Sequence, residues 1–188
     1  MACAAVTRPE LNKDFTIHAA NSADVLSTVA LVNSAYRGES SRRGWTTEEH
    51  LLGGQRTDEA AIARDISTAG QVILLLRQCA MLCGCVFLED KPDRTCYLGL
   101  LTVRPDLQRA GFGRRLLAAG EAWGAERFGS HYIEMTVLEQ RRELVAWYER
   151  RGYRLTGESR PFPYEDERFG LPKRDDLRFV VLRRRIAS

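Results

Sequence analysis

The stretch Gln108-Arg109-Ala110-Gly111-Phe112-Gly113 decides the fold of this chain. It follows an apolar run from Tyr97 to Val103 and precedes a helical pattern that continues to about Phe128, which predicts the order strand, glycine loop, helix. Glycines allow a tight turn and a close approach to a ligand, and the first turn of a helix presents free N–H groups and the positive end of its dipole. The stretch therefore predicts a cradle for a pyrophosphate. The alternative is that its two glycines simply begin a helix.

The spacing of the glycines excludes two familiar phosphate-binding loops. The Walker A pattern Gly-x-x-x-x-Gly-Lys-Ser/Thr is absent around the stretch. The first glycine of the dinucleotide fingerprint Gly-x-Gly-x-x-Gly is missing, and the loop lies in the middle of the chain rather than after a first strand. What remains is the pattern Gln/Arg-x-x-Gly-x-Gly.

Length and composition indicate a single soluble domain. The chain has 188 residues, a formal net charge of +3, 44% hydrophobic residues and 28% charged residues, which are ordinary values for a globular domain. This charge gives no reason to expect a nucleic acid or an anionic membrane as partner, and no apolar run is long enough to span a bilayer. The N-terminus lacks the pattern of a secretory signal. Five cysteines, three of them in apolar runs, indicate reduced thiols and a cytoplasmic location, and their spacing indicates no metal site.

Periodicity predicts a flexible leader at residues 1–12, followed by one domain at 13–188 with elements in the order β-α-α-β-β-β-α-β-α-β-β. The predicted strands lie at about 15–18, 72–76, 81–88, 97–103, 132–137, 153–157 and 177–182, and the predicted helices at about 22–36, 58–67, 112–128 and 142–151. A further helix start is predicted near Glu48. The connection from Glu158 to Asp176 is long and rich in proline and aromatic residues, which predicts an ordered, functional loop.

This order of elements resembles the GNAT superfamily of acetyl-CoA-dependent N-acetyltransferases, with Gln108-x-x-Gly111-x-Gly113 and the block Trp147-Tyr148-Glu149-Arg150-Arg151-Gly152-Tyr153 as its motifs. The resemblance covers roughly residues 15 to 185. It implies an α/β fold with a central seven-stranded, mostly antiparallel sheet. The fourth and fifth strands, 97–103 and 132–137, would form a splayed parallel pair, with helices on both faces. It also implies an acyltransferase that uses acetyl-CoA and no metal.

The resemblance implies a binding site for acetyl-CoA around the glycine loop. Backbone N–H groups would hold the pyrophosphate, and backbone groups of Leu101 and Val103 would pair with the pantetheine arm. The residues implied for the pyrophosphate are Gln108, Arg109, Ala110, Gly111, Phe112, Gly113 and Arg114. Arg141 stands where many members carry an Asn that contacts CoA, so it could reach a phosphate or point to solvent.

The resemblance implies Tyr148 as the acid that protonates the departing thiolate, because a tyrosine with an ordinary pKa near 10 is protonated at neutral pH. From the residues alone, Tyr148 would be a core aromatic on a helix face. The general base is open, because histone-type members carry a Glu where this chain has Gly99. Glu134 is the favoured side chain, although it could equally be an outward-facing, solvated carboxylate. Glu39 or an ordered water are the alternatives for the base.

Two loops are expected to select the acceptor, because in the family the loop after the first helix and the long last loop border the acceptor side. The candidate residues are Tyr36, Glu39, Trp45, Phe162, Tyr164 and Phe169. Aromatic and acidic side chains suit a cationic amine, but basic residues in the last loop leave the charge argument open. A small-molecule amine is the expected partner and a homodimer a further expectation. The alternatives are a protein N-terminus or lysine as acceptor, or a non-catalytic CoA-binding module.

Overall fold

The computed structural model describes residues 15–108 and 110–186, in which a seven-stranded sheet carries helices on both faces. The predicted leader, 1–12, lies outside the described residues, and so does Arg109. The strands are β1 Phe15–Ala19, β2 Leu52–Gly53, β3 Gln71–Gln78, β4 Met81–Lys91, β5 Thr95–Val103, β6 Tyr132–Leu138, β7 Arg154–Pro161, β8 Leu171–Pro172 and β9 Arg178–Arg185. The α-helices are α1 Val25–Tyr36, α2 Gly38–Ser41, α3 Glu59–Ser67, α4 Phe112–Arg127 and α5 Arg142–Glu149.

The strand order in the sheet is β1-β3-β4-β5-β6-β9-β7. Every neighbouring pair is antiparallel except β5 and β6. Parallel neighbours need a crossover connection, and α4 provides it. The predicted sheet, mostly antiparallel with one parallel pair, is therefore confirmed.

Alternation of side chains along the strands divides the core between the two faces of the sheet. Along β3, Leu74 joins the cluster covered by α4 and α5, whereas Ile73 joins the cluster beneath α1 and α3. On β6, Ile133, Met135 and Val137 are buried in the first of these clusters. The helices therefore form a layer on each side of the sheet, and any site that crosses the sheet touches both clusters.

A two-stranded ribbon of β2 and β8 was not predicted, and it takes the place of the helix expected near Glu48. That prediction is wrong: the carbonyl of Glu48 accepts the N–H groups of Leu51 and Leu52, both at 2.8 Å, which makes one turn only. Leu52 then pairs with Pro172, so tertiary pairing overrides the local signal for a helix. The short helix α2 lies in the segment that was predicted to be a loop.

The long connection between β7 and β9 is held against the rest of the chain. It contains β8 and a single 3₁₀ turn, Glu167–Phe169, and Phe162 packs in a small apolar cluster with Leu51 and Leu177. Within the described residues, none of the helices is both long and apolar enough to cross a membrane.

Candidate active site

The parallel strands β5 and β6 separate soon after they begin. Backbone pairing joins Thr95–Tyr97 to Tyr132–Glu134 only, so the remaining lengths diverge and leave an opening in the sheet. The register of β5 against β4 also shifts between Cys85 and Phe87. Near this shift Leu100 has a φ of +46°, a backbone angle that residues other than glycine seldom adopt. Such a bulge re-aims a strand, and the predicted splayed pair is confirmed.

The glycine loop ends at the N-terminus of α4 with hydrogen-bond donors that no described backbone group accepts. Gly111, immediately before α4, has a φ of +85°, a region that favours glycine. Its carbonyl accepts the N–H groups of Arg114 and Arg115. Among the described residues, the N–H groups of Gly111, Phe112 and Gly113 have no backbone acceptor. Free N–H groups at the positive end of a helix dipole favour an anion at this point.

A cavity of about 470 Å³ extends from this helix terminus along Leu101 and Val103 of β5 to Tyr148. The predicted residues that line it are Tyr36, Trp45, Leu101, Val103, Gln108, Gly111, Phe112, Gly113, Arg114 and Tyr148. The lining residues that were not predicted are Thr46, Leu107, Glu143, Leu144, Trp147, Arg150 and Arg151. Trp147, Arg150 and Arg151 lie in the same sequence block as Tyr148, so their place in that block could have predicted that they line the cavity.

The side chain of Gln108 holds two walls of the cavity together. Its Nε2 donates to Thr46 Oγ1 at 2.7 Å and to the carbonyl of Val103 at 3.1 Å. Its Oε1 accepts the N–H of Trp45 at 2.8 Å. Both hydrogens of the amide and its oxygen are used within the protein, so the side chain fixes the glycine loop against β5 and the segment that carries Trp45.

Three arginines stand around the cavity where α4 and α5 approach each other. Arg114 and Arg150 are exposed, and Arg151 is half-buried. The guanidinium of Arg151 lies 3.5 Å from the centroid of the Trp147 ring and donates to the carbonyl of Trp147 at 2.5 Å. Partial burial, and then the charges of Arg150 and Arg114, lower the pKa of Arg151. A bound anion would relieve this repulsion.

Tyr148 lies in the last turn of α5, where its side chain is buried. Its ring packs edge-on against Trp147 at 4.9 Å and against Tyr153 at 5.7 Å between centroids. Its hydroxyl has no hydrogen-bond partner within the described residues. Burial raises the pKa of Tyr148, and the neighbouring Tyr36 and Tyr97 raise it further. The hydroxyl therefore stays protonated across the physiological range.

Two more tyrosines surround the opening. The hydroxyl of Tyr36 donates to the carbonyl of Leu101 at 3.0 Å, and burial raises the pKa of Tyr36 to about 12. The hydroxyl of Tyr97 lies 2.9 Å from Thr136 Oγ1. Tyr36 lines the cavity together with Tyr148, whereas Tyr97 packs against the apolar cluster beneath α1 and α3 that contains Tyr36.

Arg141 lies elsewhere than predicted, with an exposed fraction of 1%. Its Nε donates to Glu143 at 2.6 Å, and its terminal nitrogens donate to the carbonyls of Thr46 at 3.0 Å and Trp45 at 3.2 Å. A carboxylate oxygen of Glu48 lies 3.7 Å away. The solvent-facing interpretation is wrong. A phosphate contact has no support either, because every nitrogen already binds a protein oxygen.

Three predicted acceptor residues form an aromatic cluster outside the cavity. The ring centroid of Phe162 lies 5.2 Å from that of Tyr164 and 6.4 Å from that of Phe169, and Phe179 contacts both phenylalanines. Phe162 is buried, and the hydroxyl of Tyr164 accepts the N–H of Leu177 at 2.6 Å. Phe162 and Tyr164 therefore hold the last loop in place, whereas Phe169 is 38% exposed.

Trp45 and Glu39 differ in what they contact. The ring of Trp45 lies 6.2 Å from that of Trp147, and both line the cavity on the side of α5. Trp45 was predicted for the acceptor, but this position places it beside the glycine loop. Glu39 is exposed on α2 and does not line the cavity.

Comparison with known proteins agrees with this geometry. The sequence matches the acetyltransferase (GNAT) family over residues 34–153. The chain belongs to the GNAT family. GNAT proteins are acyltransferases that take their acetyl group from acetyl-CoA. None of the curated proteins searched matches the sequence.

Solved GNAT structures share the fold over nearly the whole chain. The ribosomal-protein-S18-alanine N-acetyltransferase from Escherichia coli is 17% identical, with a TM-score of 0.66 over 93% of this chain and 96% of that one. A mutant of the spermidine N-acetyltransferase from Vibrio cholerae is 16% identical, with a TM-score of 0.65 over 93% and 95%. The protein yncA from Salmonella typhimurium, solved with its cofactor acetyl-CoA, is 18% identical, with a TM-score of 0.62 over 94% and 96%. At these identities the likeness establishes the fold.

The cavity fits the acetyl-CoA that GNAT proteins use. The free N–H groups at the start of α4 and the three arginines suit phosphates, and the middle of the cavity is apolar at Leu101, Val103 and Leu144. Within the described residues, no group of three or more His, Cys, Asp or Glu side chains could hold a metal ion.

Gly99 stands where histone-type members of the family carry the carboxylate base, and Tyr97 takes up the space beside it. A Cβ at Gly99 would lie 3.1 Å from Cε1 of Tyr97. Glu134 does not replace the carboxylate, because its two oxygens bind Arg160 at 2.9 Å and Arg183 at 3.1 Å and it does not line the cavity. The alternative of a solvated Glu134 is wrong too, since its side chain is 14% exposed.

Proposed function

We propose that this GNAT protein transfers an acetyl group from acetyl-CoA to the primary amine of a small molecule, by direct attack in a ternary complex. One observation carries the proposal. A single cavity joins the free N–H groups at the start of α4 to the protonated hydroxyl of Tyr148 beside the opening in the sheet. Phosphate recognition and a proton donor thus share one space.

Phosphate groups of the donor bind at the N-terminus of α4, where Gly111, Phe112 and Gly113 present their N–H groups. Arg114, Arg150 and Arg151 supply positive charge around the same end of the cavity. The pantetheine arm lies along Leu101 and Val103, as in an added strand. Their carbonyls also accept hydrogen bonds from Tyr36 and Gln108, which keeps this wall in place.

The reaction forms a carbon–nitrogen bond and breaks a carbon–sulfur bond. The neutral amine nitrogen attacks the thioester carbonyl carbon, and the departing thiolate takes the proton of the Tyr148 hydroxyl, giving the free thiol of CoA. The amide nitrogen loses its extra proton to water, and the phenolate of Tyr148 regains one from solvent. Water serves as base here because Gly99 offers no carboxylate, Glu134 is held by two guanidiniums and Glu39 is on the surface.

A small acceptor is favoured by the way the last loop is fastened. The ribbon of β2 and β8 holds it, Lys173 Nζ donates to the carbonyl of Glu49 at 2.6 Å, and a terminal nitrogen of Arg37 lies 3.4 Å from the carbonyl of Phe169. A loop held at several points cannot readily move aside for an extended peptide, which favours a small amine as acceptor.

The test is a free-thiol release assay with acetyl-CoA against polyamines, amino acids, aminoglycosides and short peptides. Turnover with a small amine, lost in Tyr148→Phe, supports the proposal. Turnover with peptides only would make the protein a peptide acetyltransferase. Tight binding of CoA without turnover of any amine would make it a binding module. A cytoplasmic location and a homodimer stay predictions. Sedimentation analysis of the pure protein checks the homodimer.

A further inference from the structure

Three arginines line the cavity without a negative partner: Arg114, Arg150 and Arg151. We propose that their guanidiniums form a second anion site, beside the N–H groups at the start of α4, and that this site binds a phosphomonoester. On the donor, that group is the 3′-phosphate of the adenosine. The inference rests on the proposed function, because it assumes that the cavity binds CoA.

The positive charge at this end of the cavity is not balanced by the protein. None of the three guanidiniums pairs with a carboxylate among the described residues. Glu143 is the one acid among the described lining residues, and it binds Arg141 at 2.6 Å. Unpaired cations that share a cavity repel one another, and an anion bound between them replaces the repulsion by attraction. The site is therefore suited to a ligand group with more than one negative charge.

Measured contacts place two of these arginines beside the glycine loop. Nη2 of Arg114 lies 3.5 Å from the position that a Cβ would take at Gly111. The Trp147 ring lies 3.5 Å from the same position at Gly113, and the guanidinium carbon of Arg151 lies 3.5 Å from the centroid of that ring. An anion held by the arginines therefore lies next to an anion held by the N–H groups of the loop.

The guanidinium of Arg151 is held in one orientation before any ligand binds. It stacks on the Trp147 ring and donates to the carbonyl of Trp147 at 2.5 Å. Its Nε–H is buried and has no acceptor in the part of the chain that the structure describes, which costs free energy. A guanidinium carries five N–H donors in a fixed fork, so donors remain for a phosphate. Because the side chain is already ordered, it loses little entropy when an anion binds.

The chemistry of the two neighbouring sites differs. Each phosphate of a pyrophosphate bridge carries a single charge, and the backbone N–H groups of Gly111, Phe112 and Gly113 suit it. A phosphomonoester carries about −1.5 to −2 charges at pH 7 and three acceptor oxygens, and guanidiniums bind such oxygens in pairs. CoA has one phosphomonoester, the 3′-phosphate. Dephospho-CoA, or an acyl group on protein-bound phosphopantetheine, lacks it and loses this contact.

The experiment compares CoA with dephospho-CoA, which differ only in the 3′-phosphate. Calorimetry measures both dissociation constants, and no acceptor is needed. In the unmodified protein, we expect dephospho-CoA to bind about 30-fold more weakly than CoA, because it forgoes charge-assisted hydrogen bonds.

Variants of Arg151 test which side chain reads the group. Arg151→Met keeps a long side chain against Trp147 but removes the charge, and it should bring the two ligands within about fivefold of each other. Arg151→Lys keeps the charge without the planar fork and should give an intermediate ratio. Arg127→Met is the matched control, because Arg127 also lies over a tryptophan, 5.5 Å from the centroid of Trp123, but does not line the cavity. Its ratio should equal that of the unmodified protein.

The ratio separates this inference from the proposed function. Equal affinities for CoA and dephospho-CoA in the unmodified protein, or an unchanged ratio in Arg151→Met, overturn the inference and leave the proposed function standing. If saturating inorganic phosphate raises the affinity for dephospho-CoA to that for CoA, the site takes a free ion instead of a group of the donor, and the inference is also overturned. If neither CoA nor acetyl-CoA binds, the proposed function fails and the inference with it. Should Arg151→Met not fold, Arg114→Met at an exposed position decides, and an unchanged ratio there overturns the inference.

Discussion

Gln108 Nε2 and Thr46 Oγ1 are joined by a hydrogen bond of 2.7 Å, so the glycine loop and the segment before β2 are held as one unit. Gln108→Glu keeps the shape of the side chain and the acceptor for the N–H of Trp45. It removes the donor and sets a carboxylate against the carbonyl of Val103. We expect a loss of about 1–3 kcal/mol in the free energy of unfolding. Acetyl-CoA should also bind more weakly, because two walls of the cavity come apart.

Urea unfolding and calorimetry with acetyl-CoA measure the two effects of Gln108→Glu. Gln55→Glu is the control. It makes the same change in charge at an exposed residue that lacks these contacts. Equal stability and affinity in the two variants would show that Gln108 does not hold the loop.

Substitution of the two glycines of the motif by alanine should have different effects. Gly111 has a φ of +85°, so Gly111→Ala strains the backbone and should cost about 1 kcal/mol or more of stability. At Gly113 a Cβ would lie 3.5 Å from the Trp147 ring, an ordinary contact. Gly113→Ala should therefore change the free energy of unfolding by no more than about 0.5 kcal/mol. It should weaken the binding of acetyl-CoA, because the methyl group faces the cavity.

Thermal unfolding together with calorimetry distinguishes the two glycine variants. A Gly113→Ala protein that binds acetyl-CoA as tightly as the unmodified chain would contradict a phosphate site at the start of α4.

Local patterns in the sequence predicted the features that depend on local physics. The alternation from Tyr132 to Val137 gave a strand with Ile133 and Met135 buried, and the glycine motif gave a helix that starts at Phe112. The ribbon of β2 and β8 could not be predicted in this way. Two-residue strands have no periodicity, and the partner of Leu52 lies far along the chain.

The acceptor side was predicted least well, because long-range contacts decide where polar side chains lie. Arg141 looked like a surface or phosphate-binding arginine, but carbonyls and carboxylates from another segment enclose it. Glu134 looked free on its strand, but two arginines from β7 and β9 take up its oxygens. Neither partnership leaves a signal near the residue itself.

Removal of Arg141 should destabilise the protein more than removal of an exposed arginine. The side chain of Arg141 is buried and binds two carbonyls and Glu143, with Glu48 nearby. Arg141→Met leaves two part-buried carbonyls without this donor, whereas Glu143 is exposed and Glu48 keeps its ion pair with Arg37. The expected cost is therefore about 1–3 kcal/mol. Urea unfolding measures the loss, with Arg142→Met, an exposed neighbour, as the control expected within about 0.5 kcal/mol. Similar urea midpoints for the two variants would show that the contacts of Arg141 do not stabilise the fold.

Tyr148→Phe should separate catalysis from binding. The hydroxyl makes no hydrogen bond within the described residues, so its removal should leave stability and acetyl-CoA affinity unchanged. Loss of a general acid should lower kcat about 100-fold or more. Burial raises the pKa of Tyr148 above the ordinary value near 10, so the activity of the unmodified enzyme should not fall through its ionisation below about pH 10. Tyr132→Phe, away from the opening, is the control, and an unchanged kcat in Tyr148→Phe would remove it as the acid.

Asp65 should make the protein less stable at neutral pH. Partial burial raises the pKa of this carboxyl from 3.8 to about 6, against the charge of Arg64. The folded protein therefore binds the proton more tightly than the unfolded chain. The resulting stabilisation is complete below about pH 3.8 and is lost as pH rises through about 6. At pH 7 the folded state carries a poorly solvated carboxylate, which Asp65→Asn avoids. Because the group is only partly buried and is screened by solvent, we expect a gain on the order of 1 kcal/mol, or about 3 °C in Tm. The gain should disappear near pH 4.

Asp58→Asn is the matched control. Its side chain caps α3 by accepting the N–H of Ala61 at 2.7 Å, and Asn caps a helix about as well as Asp. A gain from Asp65→Asn that is equal at pH 4 and pH 7 would rule out ionisation as its cause.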